Sequence, residues 1–368
     1  MKLSLNFNST VNAGLLQKVV DAAGENTSIS IGNAQKVNIA TLLDAIDAAG
    51  NSVNLSADFD GSELTANNLQ QAMAAAGSSV AISLNTAQAV NISTLLDVID
   101  EAGNTKRLSA TFNGAQLTFD NLERAVKAAG SNVRIGVNTA QAVNITTLLS
   151  VLKEVGDSKH FFAIFNGAQL TSNNLQRAMS EAGENTSISV NTAQAVNIST
   201  LLSVIQEAGD DKQFSAEFNG AQLSSNNLQQ AVAAAGAKVR ISVNTAQAVN
   251  INTLVSVLQA AGNKKFFSAD FNGAQSTANN LLQAVNNAGA KTAISVNSAQ
   301  ATNIAQLLDA IDAAGDSKMF SATFDGSQLT ANNLQQAVSA AGANTTISVV
   351  SAESAPQSVL LQIIKSAG

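Results

Sequence analysis

Residues 108–156 read LSATFNGAQLTFDNLERAVKAAGSNVRIGVNTAQAVNITTLLSVLKEVG, and this stretch decides the fold. It contains the same phrase twice: an alternating run, a polar turn, an amphipathic run and a terminal glycine. Leu108, Ala110 and Phe112 alternate with Ser109 and Thr111 in the first half, and in the neighbouring copy Val80, Ile82 and Leu84 alternate with Ala81 and Ser83. A period of two with aromatic and branched residues on one side predicts a half-buried strand. The period then changes. Leu69, Ala72, Met73 and Ala76 fall at i, i+3, i+4 and i+7, and Leu95, Leu96, Val98, Ile99 and Ala102 form the stripe of the sister unit, so each strand is followed by a short helix.

Outward from that stretch the phrase runs through the whole chain. A glycine closes the apolar run at Gly24, Gly50, Gly77, Gly103, Gly130, Gly156, Gly183, Gly209, Gly236, Gly262, Gly289, Gly315, Gly342 and Gly368. The spacings alternate between 26 and 27 residues, and Phe59, Phe112, Phe165, Phe218, Phe271 and Phe324 recur every 53, so the unit is a pair: a Phe half and an aliphatic half. The predicted architecture is α/β: a β/α solenoid of about fourteen strand-turn-helix repeats, with a parallel sheet on one face and short helices on the other. It forms one repeat domain over residues 1–368, with drifting terminal repeats at 1–27 and 343–368. Helices of about ten residues are marginal alone and hold through their neighbours. Thr65, Thr118, Thr171, Ser224, Thr277 and Thr330 precede the Phe-half helices as N-caps, and the recurrent Ala-Gly marks left-handed C-caps.

Two amide columns lie between strand and helix. Asn85, Asn113, Asn138, Asn166, Asn191, Asn219, Asn244, Asn272 and Asn297 form the first, with Asp60 and Asp325 as variants. Three residues on, Gln88, Gln116, Gln141, Gln169 and Gln194 begin the second, which continues to Gln328. An amide both donates and accepts, which suits backbone groups leaving a strand, so these columns are expected to form structural ladders.

The half-units resemble leucine-rich repeats, particularly the longer, helix-bearing ribonuclease-inhibitor type. Leu108-x-Ala110-x-x-Asn113 and Val80-x-Ile82-x-x-Asn85 match that family's strand and turn frame, although Phe directly before Asn departs from it. The resemblance implies a curved solenoid with parallel strands inside and helices outside, working as a recognition scaffold.

Composition narrows the function. The 368 residues carry 19 basic and 26 acidic side chains for a net charge of −7, which disfavours nucleic acid and a polybasic membrane contact. There is no Cys, hence no disulfide framework or thiolate metal site, and the lack of Cys, Trp and Tyr fits a bacterial or designed chain. The start, MKLSLNFNST, has no apolar signal region and no run reaches membrane-span length, so the expected location is cytoplasmic or reached by a signal-independent route.

Catalysis finds little support. His160 is the single histidine and reads as an exposed joint residue; Asp97 and Asp100 repeat as Asp44 and Asp47, and as Asp309 and Asp312, which marks an outward helix face. Asp58, Asp60 and Glu63 lack the spacing of a calcium loop, and Gly114, Gly167, Gly220 and Gly273 stand singly in turns rather than in a phosphate loop. No enzyme, cofactor or metal is therefore expected.

The strand face turned away from the helices is a field of small residues, including Ser30, Ser83, Ser189, Ser242 and Ser295. Arg107, Arg134 and Arg240, with Phe162 and Phe266, interrupt it, and the candidate binding residues are Arg134, Phe162, Ile164 and Arg240. Val350 stands in the Asn column, Glu353 in the Gln column and Pro356 before the last helix, and both ends read as poorly covered. The expected function is a non-enzymatic scaffold whose partner is another protein or further copies of itself stacked end to end. Binding of a regular polymer or lattice, a polysaccharide or ice, by the small-residue face is the alternative.

Overall fold

Strands and helices alternate strictly in the computed structural model, which describes residues 1–8 and 10–368, with Ala66, Ser172, Ser225 and Ala278 described by their backbone alone. The strands are β1 (Lys2–Phe7), β2 (Thr27–Ile31), β3 (Asn54–Asp60), β4 (Val80–Asn85), β5 (Arg107–Asn113), β6 (Val133–Asn138) and β7 (His160–Asn166). They continue as β8 (Thr186–Asn191), β9 (Gln213–Asn219), β10 (Val239–Asn244), β11 (Phe266–Asn272), β12 (Thr292–Asn297), β13 (Met319–Asp325) and β14 (Thr345–Val350). The helices that follow them are α1 (Ala13–Ala22), α2 (Ile39–Ala49), α3 (Ala66–Ala75), α4 (Ile92–Ala102), α5 (Phe119–Ala128), α6 (Ile145–Val155) and α7 (Ser172–Glu181). The rest are α8 (Ile198–Ala208), α9 (Ser225–Ala234), α10 (Ile251–Ala261), α11 (Ala278–Asn287), α12 (Ile304–Ala314), α13 (Ala331–Ala340) and α14 (Gln357–Ala367).

The repeats divide into two compact units. A leading unit holds Leu3–Ala163 with Val350–Gly368, and a trailing unit holds Ile164–Val349 with Met1–Lys2. In each, successive strands pair in parallel and successive helices pack side by side. Alternation along the strand explains the layering. In β5, Leu108, Ala110 and Phe112 are buried beneath the helices while Ser109 and Thr111 lie half-buried on the opposite face of the strand. In α3, Leu69, Ala72 and Met73 are fully buried, as their helical spacing requires. Burying one phenylalanine of the Phe column is worth about 3–5 kcal/mol against alanine.

The caps differ from expectation. The Phe-half residues Thr118, Thr171 and Ser224 occupy N-cap positions but make no side-chain cap bond. The aliphatic halves are capped instead by asparagines that the periodicity did not single out: the Asn144 side-chain Oδ1 accepts from Thr146 N at 2.9 Å, and Asn91 and Asn197 repeat the contact. The glycines also split into two kinds. Gly50, Gly103, Gly156, Gly209, Gly262 and Gly315 have positive φ, but with ψ of −122° at Gly50 and −141° at Gly156 they lie outside the left-handed helical well, in a region that a side chain resists. The Phe-half glycines Gly77, Gly130, Gly236, Gly289 and Gly342 do not need a positive φ. A Cβ on Gly130 would stand 2.2 Å from the carbonyl oxygen of Gly103, so glycine is demanded there by the close approach of the neighbouring repeat.

The left-handed conformation appears somewhere else. Thr86, Thr139, Thr192 and Thr245, with Asn33, Ser298 and Ser351, take φ near +50° directly after the aliphatic strands. A β-branched residue there costs on the order of 1–3 kcal/mol. The threonine hydroxyls offset this by donating to the preceding Phe half, as Thr139 Oγ1 does to Asn113 Oδ1 at 2.8 Å. A lysine column also emerges: Lys106, Lys159, Lys212, Lys265 and Lys318 each donate to two carbonyls at the C-terminus of an earlier Phe-half helix, Lys159 Nζ reaching Val126 O at 2.9 Å and Lys127 O at 3.0 Å. A cation at the negative end of a helix is favourable for the same reason that the last carbonyls lack partners.

The expectation of bare ends is corrected for the helical layer. Within the leading unit α14 packs against α1, and Leu360, Ile363 and Ile364 are buried. Glu353 accepts from the backbone N of Asn8 at 3.0 Å and from Asn8 Nδ2 at 3.2 Å, while Asn26 Nδ2 donates to Ala367 O at 3.3 Å. Glu353 does for Asn8 what Gln35, Gln88, Gln194, Gln247 and Gln300 do for Asp60, Asn113, Asn219, Asn272 and Asp325, so the apparent drift of the last repeat serves a junction with the first.

Candidate functional site

The amide columns are joined from repeat to repeat. Gln88 Oε1 accepts from the backbone N of Asn113 at 2.8 Å, and its Nε2 donates to Gln116 Oε1 at 3.1 Å. Gln194 and Gln247 make the same pair of bonds to Asn219 with Gln222 and to Asn272 with Gln275. Asn113, Asn166 and Asn219 close local turns, each side-chain oxygen accepting from the backbone N two residues on. In the aliphatic halves the backbone carbonyls of Asn85, Asn138, Asn244 and Asn297 receive Gly61, Gly114, Gly220 and Gly273 N. Asn191 ends β8, and Gln141 and Gln169 occupy the equivalent turns. The glutamines 88, 194 and 247 and the Phe-half asparagines hold turns together through their side chains, and the aliphatic-half asparagines do so through their backbone carbonyls.

The strand face turned away from the helices carries the side chains that depart from the repeat pattern. In the leading unit Gly136 lies directly opposite Phe162, and Arg134 opposite His160, in the parallel register of β6 and β7. A Cβ on Gly136 would lie 2.1 Å from the Phe162 ring, so the ring rests flat on the one position of its kind that has no side chain. Ser83, Ser242 and Ser295 stand where Gly136 does in other repeats. The Arg134 guanidinium carbon sits 4.7 Å from the centroid of that ring, a cation–π contact worth about 0.5–1 kcal/mol at an exposed site. Arg134 borders solvent, yet the protein around it removes enough water to lower its pKa from the ordinary arginine value, which leaves it charged at neutral pH. A cavity of 340 Å³ opens beside it, bordered by Arg107, Ser109, Ser131, Asn132, Arg134 and His160.

His160 is thus more than a joint residue: it is exposed, begins β7 and borders this cavity. Ile164 is half-buried further along β7, across the boundary between the units, and the leading-unit cavity is built without it.

In the trailing unit Arg240 lies opposite Phe266 in register, 4.7 Å from its ring centroid, and Lys291 Nζ stands 4.7 Å from the same ring. The cavity there has a volume of 310 Å³ and is bordered by Gln213, Phe214, Ser215, Lys238, Arg240 and Phe266. Position for position, it is the leading-unit cavity displaced by two 53-residue pairs: Arg134 becomes Arg240, Asn132 becomes Lys238 and His160 becomes Phe266. Neither cavity is bordered by an Asp or Glu. The sequence marked the arginines and phenylalanines as exceptions; their facing partners follow only from strand register.

Elsewhere the carboxylates serve the scaffold. Asp97 is exposed and accepts from Gln70 Nε2 at 3.4 Å. Asp60 accepts from the Thr86 hydroxyl and from Ser62, which hold its pKa below the ordinary carboxylate value, the Thr86 bond being the largest cause. Glu63 pairs with Lys36 at 2.8 Å. Among the described residues no group of three or more His, Cys, Asp or Glu could hold a metal ion, and no helix is long and apolar enough to cross a membrane.

No family model and no curated protein matches the sequence. The fold is similar to a solved chain from the Rad7 and Elc1 complex in yeast, at 13% identity and a TM-score of 0.51 over 92% of this chain and 83% of that one. The leucine-rich repeat-containing protein LegL7 from Legionella pneumophila aligns over 98% of this chain and 97% of its own at 13% identity, with a TM-score of 0.36. Dihydrodipicolinate synthase from Bacillus clausii aligns over 70% of this chain and 72% of that one at 9% identity, with a TM-score of 0.27. The first likeness is to a β/α-repeat fold; the other two are too loose to bear on the argument. At these identities none carries an activity across.

Proposed function

We propose that this chain is a non-enzymatic repeat scaffold of the leucine-rich type that recognises another protein through the strand face turned away from the helices. Three cavities recur at equivalent positions, one of them bordered by Lys2, Met319 and Asn344 without an arginine, and the observation that carries the reading is what lines the other two. At those positions the small-residue pattern gives way to an arginine seated on an aromatic ring, and no repeat contact requires either. Arginine and aromatic anchors concentrate binding energy at protein interfaces. The fold relative solved as the Rad7 and Elc1 complex agrees with a protein-binding use of such a scaffold. Stacking of copies through uncovered ends loses its premise in the helical layer, where α14 lies on α1.

The test is face-specific crosslinking in extract of the cells that make the protein. A photo-crosslinking residue replaces Asn132 at the cavity rim and, separately, Arg124 on the exposed side of α5. A discrete crosslinked protein obtained from position 132 and absent from position 124 is expected. The same products from both positions, or none from 132, would overturn the proposal.

A further inference from the structure

We infer that each cavity receives a carboxylate, so that the partner presents an acidic peptide segment; this rests on the scaffold reading above and names the chemistry of its ligand. The charges are the first argument. Arg107 and Arg134 border the leading-unit cavity, and Lys238 and Arg240 the trailing-unit cavity, with Lys291 over the same ring as Arg240. The chain has an excess of acid, 26 acidic against 19 basic residues, and the lysines 36, 106, 127, 159 and 212 all pair with glutamates. Among the described residues none of the cavity cations forms a salt bridge with a carboxylate. Cations gathered on an acidic protein and left without anions of their own are complementary to an anion from outside.

Shape and polarity select the kind of anion. A volume of 310–340 Å³ admits a side chain with its neighbours. The planar guanidinium matches a carboxylate through two parallel hydrogen bonds, and Ser109 at the wall of the leading-unit cavity can donate another. The phenylalanine beneath each arginine holds the guanidinium in place, and Phe266, which borders the trailing-unit cavity, offers an apolar shelf there to a flanking side chain. A nucleic acid would bring a continuous line of phosphates to a protein of net charge −7, whose remaining surface repels it. Duplication is the second argument. Of three cavities at equivalent repeat positions, the two that carry an arginine each set it over a ring, Phe162 in one column and Phe266 in another, and these two point to two carboxylate sites per chain.

The experiment measures fluorescence anisotropy of the full chain at low ionic strength with labelled hexaglutamate, labelled hexaglutamine and oligothymidylate of matched charge. Arg134→Gln, Arg240→Gln and the double variant are compared, with circular dichroism confirming that each is folded; Arg134→Lys keeps the charge but not the fork. Hexaglutamate is expected to bind at least about tenfold more tightly than hexaglutamine, with an affinity that falls as salt rises. Two peptides are expected per chain, one after either single glutamine substitution, and the loss of most binding in the double variant. Arg134→Lys is expected to fall between wild type and Arg134→Gln. Equal binding of the two peptides, no binding of hexaglutamate, affinity indifferent to both arginines, or a preference for oligothymidylate would each overturn the inference. A crosslink confined to position 132 together with equal peptide binding would sink the acidic assignment and leave the scaffold reading standing.

Discussion

Of the five threonine hydroxyls buried without a hydrogen-bond partner among the described residues, four share one position, Thr27, Thr186, Thr292 and Thr345, and replacing these four with valine should stabilise the protein. Each begins an aliphatic strand, at the position filled in sister repeats by Val80, Val133 and Val239, all fully buried. The fold therefore already accommodates the isosteric valine there. A buried polar group left unsatisfied costs roughly 1–3 kcal/mol, so each Thr→Val change is expected to gain about 1–2 kcal/mol. The four sites lie on different strands and share no partner, so the gains should add to about 4–8 kcal/mol. With an unfolding entropy of about 2.1 cal/mol/K per residue, 1 kcal/mol corresponds to about 1.3 °C in a chain of this length, and the quadruple variant should melt about 5–10 °C higher. Differential scanning calorimetry provides the assay, with Thr111→Val on the half-exposed strand face as a control expected to shift Tm by less than about 1 °C. An unchanged or lowered Tm in the quadruple variant would show that these four hydroxyls carry no burial penalty.

Other substitutions separate roles that look alike in the sequence. Asn144→Ala removes a made cap bond and should cost about 0.5–2 kcal/mol in denaturant unfolding, whereas Thr118→Ala, at an N-cap without a side-chain bond, should cost less than about 0.5 kcal/mol. Gly130→Ala would drive a Cβ to 2.2 Å from Gly103 O and should destabilise by at least about 1–3 kcal/mol although Gly130 needs no positive φ; circular dichroism melting checks it. Asp60 has a folded pKa below its unfolded value near 3.8, so its contribution is fully present above the unfolded pKa and is lost as pH falls through the folded one. Asp60→Asn, which restores the residue of other Phe halves, should abolish that part of the acid-side loss of stability in pH-dependent melting.

Sequence alone determined the repeat and its elements. The alternation of Leu108, Ala110 and Phe112 and the helical spacing of Leu69, Ala72 and Met73 are local patterns, and burial of one face follows from them wherever a covering layer exists. The exceptional side chains on the strand face were equally legible, because a repeat supplies its own background: Arg134 and Phe162 stand out against the small residues of sister units. What the tertiary structure decided depends on atoms 25 or more positions apart. The two sorts of glycine share one sequence context, yet one answers to its own φ and the other to a neighbouring carbonyl. The left-handed threonines are tolerated because an asparagine or aspartate in the preceding repeat accepts their hydroxyls. Gly136 reads as a weak strand residue until register sets Phe162 on top of it. Glu353 reads as drift until Asn8, 345 positions away, is seen to donate to it. Periodicity fixes which way a side chain faces along its own element. Only the packing of one repeat against another fixes what it meets there.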